Sequence, residues 1–169
     1  VKDYPTQGIK VFFKSEVLNH DPVTLFSHAI TNKLFGFNPL PFHLLNLLIH
    51  LMNIALVFYL IFLLSKRIET SAITALIFAL HPTHVESVAW LSERKDILFT
   101  FFFLISIISY IYYISKDNKA KPKFLFISVT AFVFSIFSKF AGITLPIVLL
   151  LVDYWYKRKL NAKLLLEKI

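Results

Sequence analysis

The chain alternates between long apolar runs and short loops that carry most of its charges. The first run, 42–64, has about 23 residues without a formal charge, which is enough to cross a hydrocarbon core of about 30 Å as a helix. Because a membrane tolerates helices and closed barrels only, the pattern predicts an all-α, polytopic transmembrane bundle of about five membrane helices. The predicted spans are about 42–64, 70–81, 97–115, 124–138 and 140–156.

The two ends of the chain differ from this central part. Residues 1–40 mix charged and aromatic side chains, which is typical of external amphipathic or juxtamembrane helices that lie on a membrane surface. One such helix is expected to begin at Asp21-Pro22, since proline suits a first helical turn. We assign 41–160 to the bundle and 161–169 to the cytoplasmic start of another segment. With no signal-peptide pattern at its start, the chain is expected to be a piece of a longer polypeptide.

Two of the predicted spans are short. The helical path from Arg67 to His81 is about 21 Å, against a core of about 30 Å, and the span at 124–138 is about as short. Helices that stop below the membrane surface must end in protein or in a wet cavity. The sequence therefore predicts a recessed pocket on one face of the membrane.

Charged loops give that face an orientation. Lysine and arginine concentrate at 66–67, 116–123 and 157–163, after the first, third and fifth runs. The positive-inside rule puts these loops in the cytoplasm, and the loop 81–96 on the external or lumenal side. We expect a multi-pass protein of a bacterial inner membrane or of the endoplasmic reticulum.

Composition agrees with a membrane protein. Hydrophobic residues make up 57% of the chain and charged residues 17%, whereas soluble domains average about 25% charged residues. The net charge of +8 resides in loops rather than on one basic face, so we expect a lipid bilayer as partner and no nucleic acid. The absence of cysteine excludes a disulfide framework.

Ionisable side chains concentrate in the loop 81–96, and such groups near membrane depth indicate a functional site. Carboxylates and imidazoles there could orient a hydroxyl or accept its proton, and cations could bind a phosphate. The candidates for the first role are Glu86, His84, His81 and Asp96, and those for the second are Arg94, Lys95 and Lys139.

Three structural alternatives stay open for these residues. The loop charges nearly cancel, so they could pair with one another at the interface, and Lys139 could snorkel to the membrane surface. The spacing His81-x-x-His84-x-Glu86 offers ligands for a divalent cation, but it matches no zinc signature. We predict no metal site and no certain cofactor.

A polar stripe marks the first predicted span. At about 100° per residue, His43, Asn46, His50 and Asn53 fall on one face. They either pack by hydrogen bonds between helices or line the pocket, where His43, Asn46, His50 and Trp90 are the predicted lining residues. If 82–93 is one helix, Glu86, Trp90 and Glu93 share a stripe.

Three motifs carry a family resemblance. The first motif is the segment from Phe35 to Pro39, followed by the span that carries His43, Asn46 and His50. The second begins at His81-Pro82, continues to Trp90 and is followed by Ser92 to Leu98. The third is Ser138-Lys139, followed by Thr144-Leu-Pro146 and Asp153. In this order they resemble the transmembrane and tetratricopeptide-repeat O-mannosyltransferases and their bacterial relatives, over about 20–156.

The resemblance implies a GT-C glycosyltransferase fold with an external active site. It implies transfer of a sugar, mannose in type, from a polyprenyl- or dolichyl-phosphate donor to a protein hydroxyl or another acceptor. Arg94, Lys95 and Lys139 would contact the donor phosphate, and Glu86, His81, His84 and Asp96 would shape the pocket. The acidic pair of the family is expected upstream of Val1, so this segment alone is expected to be inactive although the parent protein is an enzyme.

A transporter or channel-like subunit is the alternative from another functional class. In that interpretation the His/Asn stripe and Lys139 form an ion path. Transporters often repeat a hydropathy unit in two halves, and the sequence shows only one interrupted run, at Lys139.

Overall fold

A computed structural model describes residues 21–36, 38–115 and 121–158. This part of the chain is all helical, which confirms the predicted all-α class. Its seven α-helices are α1 (Pro22–Phe35), α2 (Pro39–Ser65), α3 (Ile68–Leu80), α4 (Pro82–Ala89), α5 (Arg94–Ile114), α6 (Lys121–Ser138) and α7 (Leu145–Trp155). Two short 3-10 helices, Leu91–Glu93 and Phe140–Thr144, lead into α5 and α7.

The helix bounds lie close to the predicted ones, with differences at helix starts. Helix α2 begins at Pro39, ahead of the predicted start, because Asn38 Oδ1 accepts a hydrogen bond from Leu40 N at 3.1 Å and caps the helix. The chain reverses at Gly36, whose φ of +63° is a left-handed value that favours glycine. Predictions for 1–20 and 161–169 concern residues outside those that the structure describes.

Helix α4 ends within the segment 82–93. It stops at Ala89, and Trp90 is extended with φ −87° and ψ 126°. The condition of one helix over 82–93 is therefore not met, and Trp90 does not continue the stripe of Glu86. The Asn46 side chain supplies the physical reason, because its Nδ2 donates to the carbonyl oxygens of Val88 at 3.2 Å and Trp90 at 3.4 Å. A side chain that donates hydrogen bonds to backbone carbonyls at a helix end stabilises that end.

Helices α5 and α6 form the antiparallel centre of the fold. The buried Ser106 Oγ donates to Ser128 O at 2.8 Å, and Ser128 Oγ donates to Ser106 O at 2.9 Å. Small hydroxyl side chains let two helix backbones approach closely. Buried apolar residues of α5 and α7 then build the core: Ile107, Tyr110, Ile111, Leu145, Leu149 and Val152.

The helical structure between α6 and α7 is interrupted at Lys139, which is extended. A Cβ added to Gly142 would lie 2.8 Å from Ile136 N and 3.0 Å from Ile136 Cα, so only glycine permits this close approach to the backbone of α6. The 3-10 helix that contains Gly142 is thereby folded back against α6, with Lys139 at the corner. The interruption predicted at Lys139 is confirmed, since α6 ends at Ser138. The predicted span 140–156 consists of the 3-10 helix Phe140–Thr144 and α7.

Two helical segments, Pro39–Ser65 and Leu91–Ile114, are long and apolar enough to cross a membrane. On α2, large apolar side chains point outwards, as lipid-facing residues do: Leu44, Leu47, Leu48 and Leu51. Three shorter apolar helices accompany them: Ile68–Leu80, Pro122–Ser138 and Phe140–Trp155. These features indicate a membrane protein, whereas five spans and the GT-C arrangement stay predictions.

Candidate functional site

A polar cavity of about 240 Å³ lies where α2, α3, α4 and α5 meet the corner at Lys139. It collects side chains that are far apart in the sequence. Its lining residues are His50, Asn53, Phe78, Thr83, His84, Ser87, Asp96, Ile97, Phe99, Thr100 and Lys139. The loop 81–96 and Lys139, which the topology prediction put on one face, therefore meet at one site.

An ion pair forms the charged part of this cavity. Lys139 Nζ donates to Asp96 Oδ1 at 2.6 Å, and the two side chains keep 39% and 29% of their surface exposed. An ammonium has three N–H donors and a carboxylate has two oxygens, so each group retains hydrogen-bonding capacity beyond this contact. Their partial exposure leaves that capacity accessible to a ligand.

Histidine and aromatic rings form another part of the cavity lining. The His84 ring lies 4.3 Å from the Phe78 ring and 5.7 Å from the His50 ring, measured between centroids. Burial lowers the pKa of His84, and the neighbouring His50 and His81 lower it further. His84 is therefore neutral near pH 7, and a neutral imidazole can accept a proton.

Seven predicted site residues lie outside the cavity, and three of them are Asn46, Arg94 and Lys95. His43, His81, Glu86 and Trp90 are exposed, and none of them lines it. His81 Nδ1 instead contacts Thr83 Oγ1 at 2.7 Å, at the start of α4. Asn46, His50 and Asn53 of the polar stripe are buried. Of the four residues predicted to line the pocket, His50 lines this cavity, whereas His43, Asn46 and Trp90 do not.

Lys95 is also separated from the cavity. Its Nζ lies 3.7 Å from Glu93 Oε1, a contact that matches the alternative in which the loop charges pair with one another. The two lysines predicted to bind phosphate therefore differ, since Lys139 lines the cavity and Lys95 does not.

Arg94 lies in the protein interior, with 1% of its surface exposed. Its guanidinium donates to Asn46 Oδ1 at 2.7 Å, Phe42 O at 3.0 Å, Ser27 Oγ at 3.0 Å and Thr31 Oγ1 at 3.1 Å. These bonds connect α5 to α1 and α2. Because planar N–H donors that point at four protein acceptors are not available to a ligand, the geometry favours a structural role over the predicted phosphate contact.

His28 belongs to this buried region, although no pattern in the sequence had singled it out. It stacks on Phe42 with 5.9 Å between ring centroids. Burial lowers the pKa of His28 to about 4, and the positive charge of Arg94 adds to the effect. The signal available in the sequence was its place one turn from Thr24 and Thr31, which share the buried face of α1.

This histidine gives a pH-dependent prediction. The pKa of His28 falls from its ordinary value of 6.5 to about 4 on folding, so the unfolded chain binds more protons between these values. Stability should then fall as the pH is lowered from about 6.5 towards about 4. The melting temperature of the full-length protein in detergent, compared with His28→Gln at about pH 7 and about pH 5, measures this effect.

The variant is expected to lose less stability on acidification than the wild type. Exposed His43 supplies a matched control, because His43→Gln should leave the pH dependence unchanged. Identical pH dependence in all three proteins would contradict the prediction.

A second polar cluster lies at the other end of α5. The fully buried carboxylate of Asp153 accepts hydrogen bonds from Tyr110 Oη at 2.9 and 3.0 Å. Arg158 Nη1 donates to Asp153 Oδ1 at 3.0 Å and to Tyr110 Oη at 3.2 Å. The cluster fastens the C-terminal end of α7 to α5.

No group of three or more His, Cys, Asp or Glu side chains that could hold a metal ion occurs within 21–36, 38–115 and 121–158. Of the three residues in the spacing considered for a divalent cation, His81 and Glu86 are exposed and His84 is half-buried.

The sequence around the cavity matches a known protein family. The family described as dolichyl-phosphate-mannose-protein mannosyltransferase matches residues 19–167, which include the whole cavity. The chain belongs to this family. The predicted resemblance to the O-mannosyltransferases is thereby confirmed.

Individual mannosyltransferase relatives agree. The chain is 30% identical to protein O-mannosyl-transferase TMTC1 of Mus musculus over 143 residues, 80% of this chain and 15% of the relative. It is 29% identical to TMTC3 of Homo sapiens over 126 residues, 68% of this chain and 14% of the relative. It is 31% identical to human TMTC4 over 116 residues, 60% of this chain and 16% of the relative.

The chain thus spans about one seventh of the length of these relatives. No solved structure matches it significantly.

Proposed function

We propose that this chain is part of an integral-membrane glycosyltransferase of the mannosyltransferase type. The full-length protein transfers a mannose-type sugar from a polyprenyl- or dolichyl-phosphate donor to a hydroxyl of an acceptor protein. The cavity at Asp96 and Lys139 holds the phosphate and sugar of the donor, and it faces the external or lumenal side of a multi-pass, GT-C-like bundle.

The observation that carries the proposal is the meeting of Lys139 with the loop 81–96 in one cavity of a mannosyltransferase-family chain. Lys139 and Asp96 are 43 residues apart, yet their side chains form a direct ion pair. A partly exposed ion pair at the wall of a cavity gains little stability for the fold, so ligand binding is the better explanation for its position.

The charges match the needs of glycosyl transfer. The reaction breaks the bond between the sugar carbon and the phosphate oxygen and forms a bond from that carbon to the acceptor oxygen. The phosphate leaves with the electron pair, and the acceptor hydroxyl loses a proton. The free N–H groups of Lys139 can stabilise the growing negative charge on the phosphate.

The proton needs an acceptor within the same cavity. His84 is neutral near pH 7 because its pKa is lowered, and it lines the cavity together with Asp96. A group that is uncharged at working pH and close to the reacting hydroxyl suits general-base catalysis. Of the four candidates from the sequence, His84 and Asp96 are therefore assigned to contact the reactants, whereas His81 and Glu86 are not.

Lys139→Ala is expected to lower transfer from a radiolabelled polyprenyl-phosphate mannose by about tenfold or more in kcat/KM, about 1.4 kcal/mol of transition-state stabilisation. The assay uses the full-length protein in membranes with an acceptor protein. Its matched control is Lys95→Ala, which removes an equal charge outside the cavity and should stay within about twofold of wild type.

Each result has a clear meaning once the amounts of protein are equalised. Equal losses in the two lysine variants would contradict the assignment of the phosphate to Lys139. A wild-type protein that transfers no sugar from any polyprenyl-phosphate donor would contradict the proposed function, and the transporter alternative would be tested next.

A further inference from the structure

One buried hydrogen-bond acceptor in the cavity lacks a protein partner. Within the described residues, four buried side-chain atoms have no hydrogen-bond partner, and Asn53 Oδ1 is the one whose residue lines the cavity. The others are Thr24 Oγ1, Asn32 Oδ1 and Ser135 Oγ. The Asn53 side chain is 1% exposed, so bulk water does not compensate for the missing bond.

The orientation of the Asn53 amide is fixed. Its Nδ2 donates to the carbonyl oxygen of Ile97 at 2.9 Å, and only the NH2 group of an amide can donate. The oxygen must therefore occupy the other position. This oxygen is an acceptor without a donor in a residue that lines the cavity, so a ligand that reaches it must supply a hydrogen-bond donor.

An unsatisfied buried acceptor has an energetic cost. A carbonyl oxygen without a partner costs about 1–3 kcal/mol in a protein interior, and such atoms are rare in native proteins. Asn46, the other buried asparagine of α2, has both of its polar atoms bonded within the protein. The contrast indicates that Asn53 has a role in addition to its hydrogen bond between α2 and α5.

Asn53 lies close to the charged groups of the site. The carbonyl that holds its Nδ2 belongs to Ile97, the residue directly after Asp96. The cavity of about 240 Å³ is also smaller than the range of about 300–1,000 Å³ that is common for drug-sized ligands. Its size suits one sugar ring, with the phosphate at Lys139 and ring hydroxyls towards Asn53.

We infer that Asn53 Oδ1 accepts a hydrogen bond from one hydroxyl of the donor sugar, so that Asn53 is a specificity-determining residue of the cavity. This inference rests on the proposed function, which supplies a sugar as ligand. A sugar hydroxyl satisfies the buried oxygen, whereas a sugar without that hydroxyl leaves it unpaired, and such a loss is what makes polar recognition selective.

The test is a panel of monodeoxy mannosyl donors, each lacking one ring hydroxyl, assayed with the full-length wild type and Asn53→Leu. Wild type should discriminate against one deoxy donor by about tenfold or more in kcat/KM. Asn53→Leu, which has a similar shape but no acceptor, should lose activity with the natural donor and lose that discrimination. A merely structural role would lower transfer from all donors by the same factor.

A second variant keeps the test decisive if Asn53→Leu does not accumulate. Asn53→Asp retains an acceptor oxygen and should keep the preference for the hydroxylated donor, whereas a lost preference would overturn the inference. If wild type is active and treats all deoxy donors alike, or Asn53→Leu keeps the wild-type preference, the inference fails while the proposed function stands. If wild type transfers no sugar at all, both fail.

Discussion

Arg94→Ala is expected to destabilise the protein by about 3 kcal/mol or more, the largest effect among the substitutions considered. The change removes the guanidinium N–H groups that donate to Asn46 Oδ1, to Phe42 O and to two hydroxyls of α1. It also leaves a cavity of side-chain size. Thermal unfolding of the full-length protein in detergent measures the loss. Arg94→Lys should rescue little, because one ammonium cannot reproduce a planar fork of donors aimed at several acceptors.

Arg67→Ala is the matched control, since Arg67 is exposed and no described residue accepts a hydrogen bond from its side chain. It should leave the melting temperature nearly unchanged. The comparison also separates the two interpretations of Arg94. An Arg94→Ala protein that keeps wild-type stability but loses sugar transfer would contradict the structural role and restore the contact with the donor phosphate.

Asp153→Ala is expected to cost about 2 kcal/mol or more, because it removes the buried carboxylate that accepts from Tyr110 and Arg158. Asp153→Asn should cost less, since an amide oxygen can still accept from the Tyr110 hydroxyl. Urea or thermal unfolding of the full-length protein in detergent reports both values.

A double-mutant cycle with Tyr110→Phe tests whether this pair acts as a unit. The combined loss in Tyr110→Phe, Asp153→Ala should be smaller than the sum of the single losses, because both changes break the same hydrogen bonds. Strict additivity would show that the two residues stabilise the protein independently.

The helices could be predicted because their apolar runs are long and their boundaries carry clear signals. Pro22 and Pro82 begin helices, as proline at a first turn predicts, whereas α2 begins at Pro39, ahead of its predicted start. The end of α4 could not be found in this way. It depends on Asn46, a residue more than 40 positions earlier, and no local pattern reports a tertiary hydrogen bond of that kind.

The site could be predicted as a region but not residue by residue. Charge density pointed to the loop 81–96, and periodicity pointed to the face of α2 that carries His50 and Asn53. Neither signal distinguishes an arginine that points inwards from a lysine that points into a cavity. Arg94 is buried within the protein, whereas Lys139 is partly exposed in the cavity. Burial and side-chain direction depend on how the helices pack, which a single sequence does not state.

The reciprocal bonds between Ser106 and Ser128 have a consequence for distance along the bundle. Asp96 lies ten positions before Ser106 on α5, and Lys139, the residue directly after the antiparallel α6, lies eleven positions after Ser128. Both segments therefore extend about 15 Å from the serine contact, and they end side by side. The serine contact thus sets the register of the two segments: adding or deleting one residue in either segment would rotate its end by about 100° and separate the lysine from the aspartate.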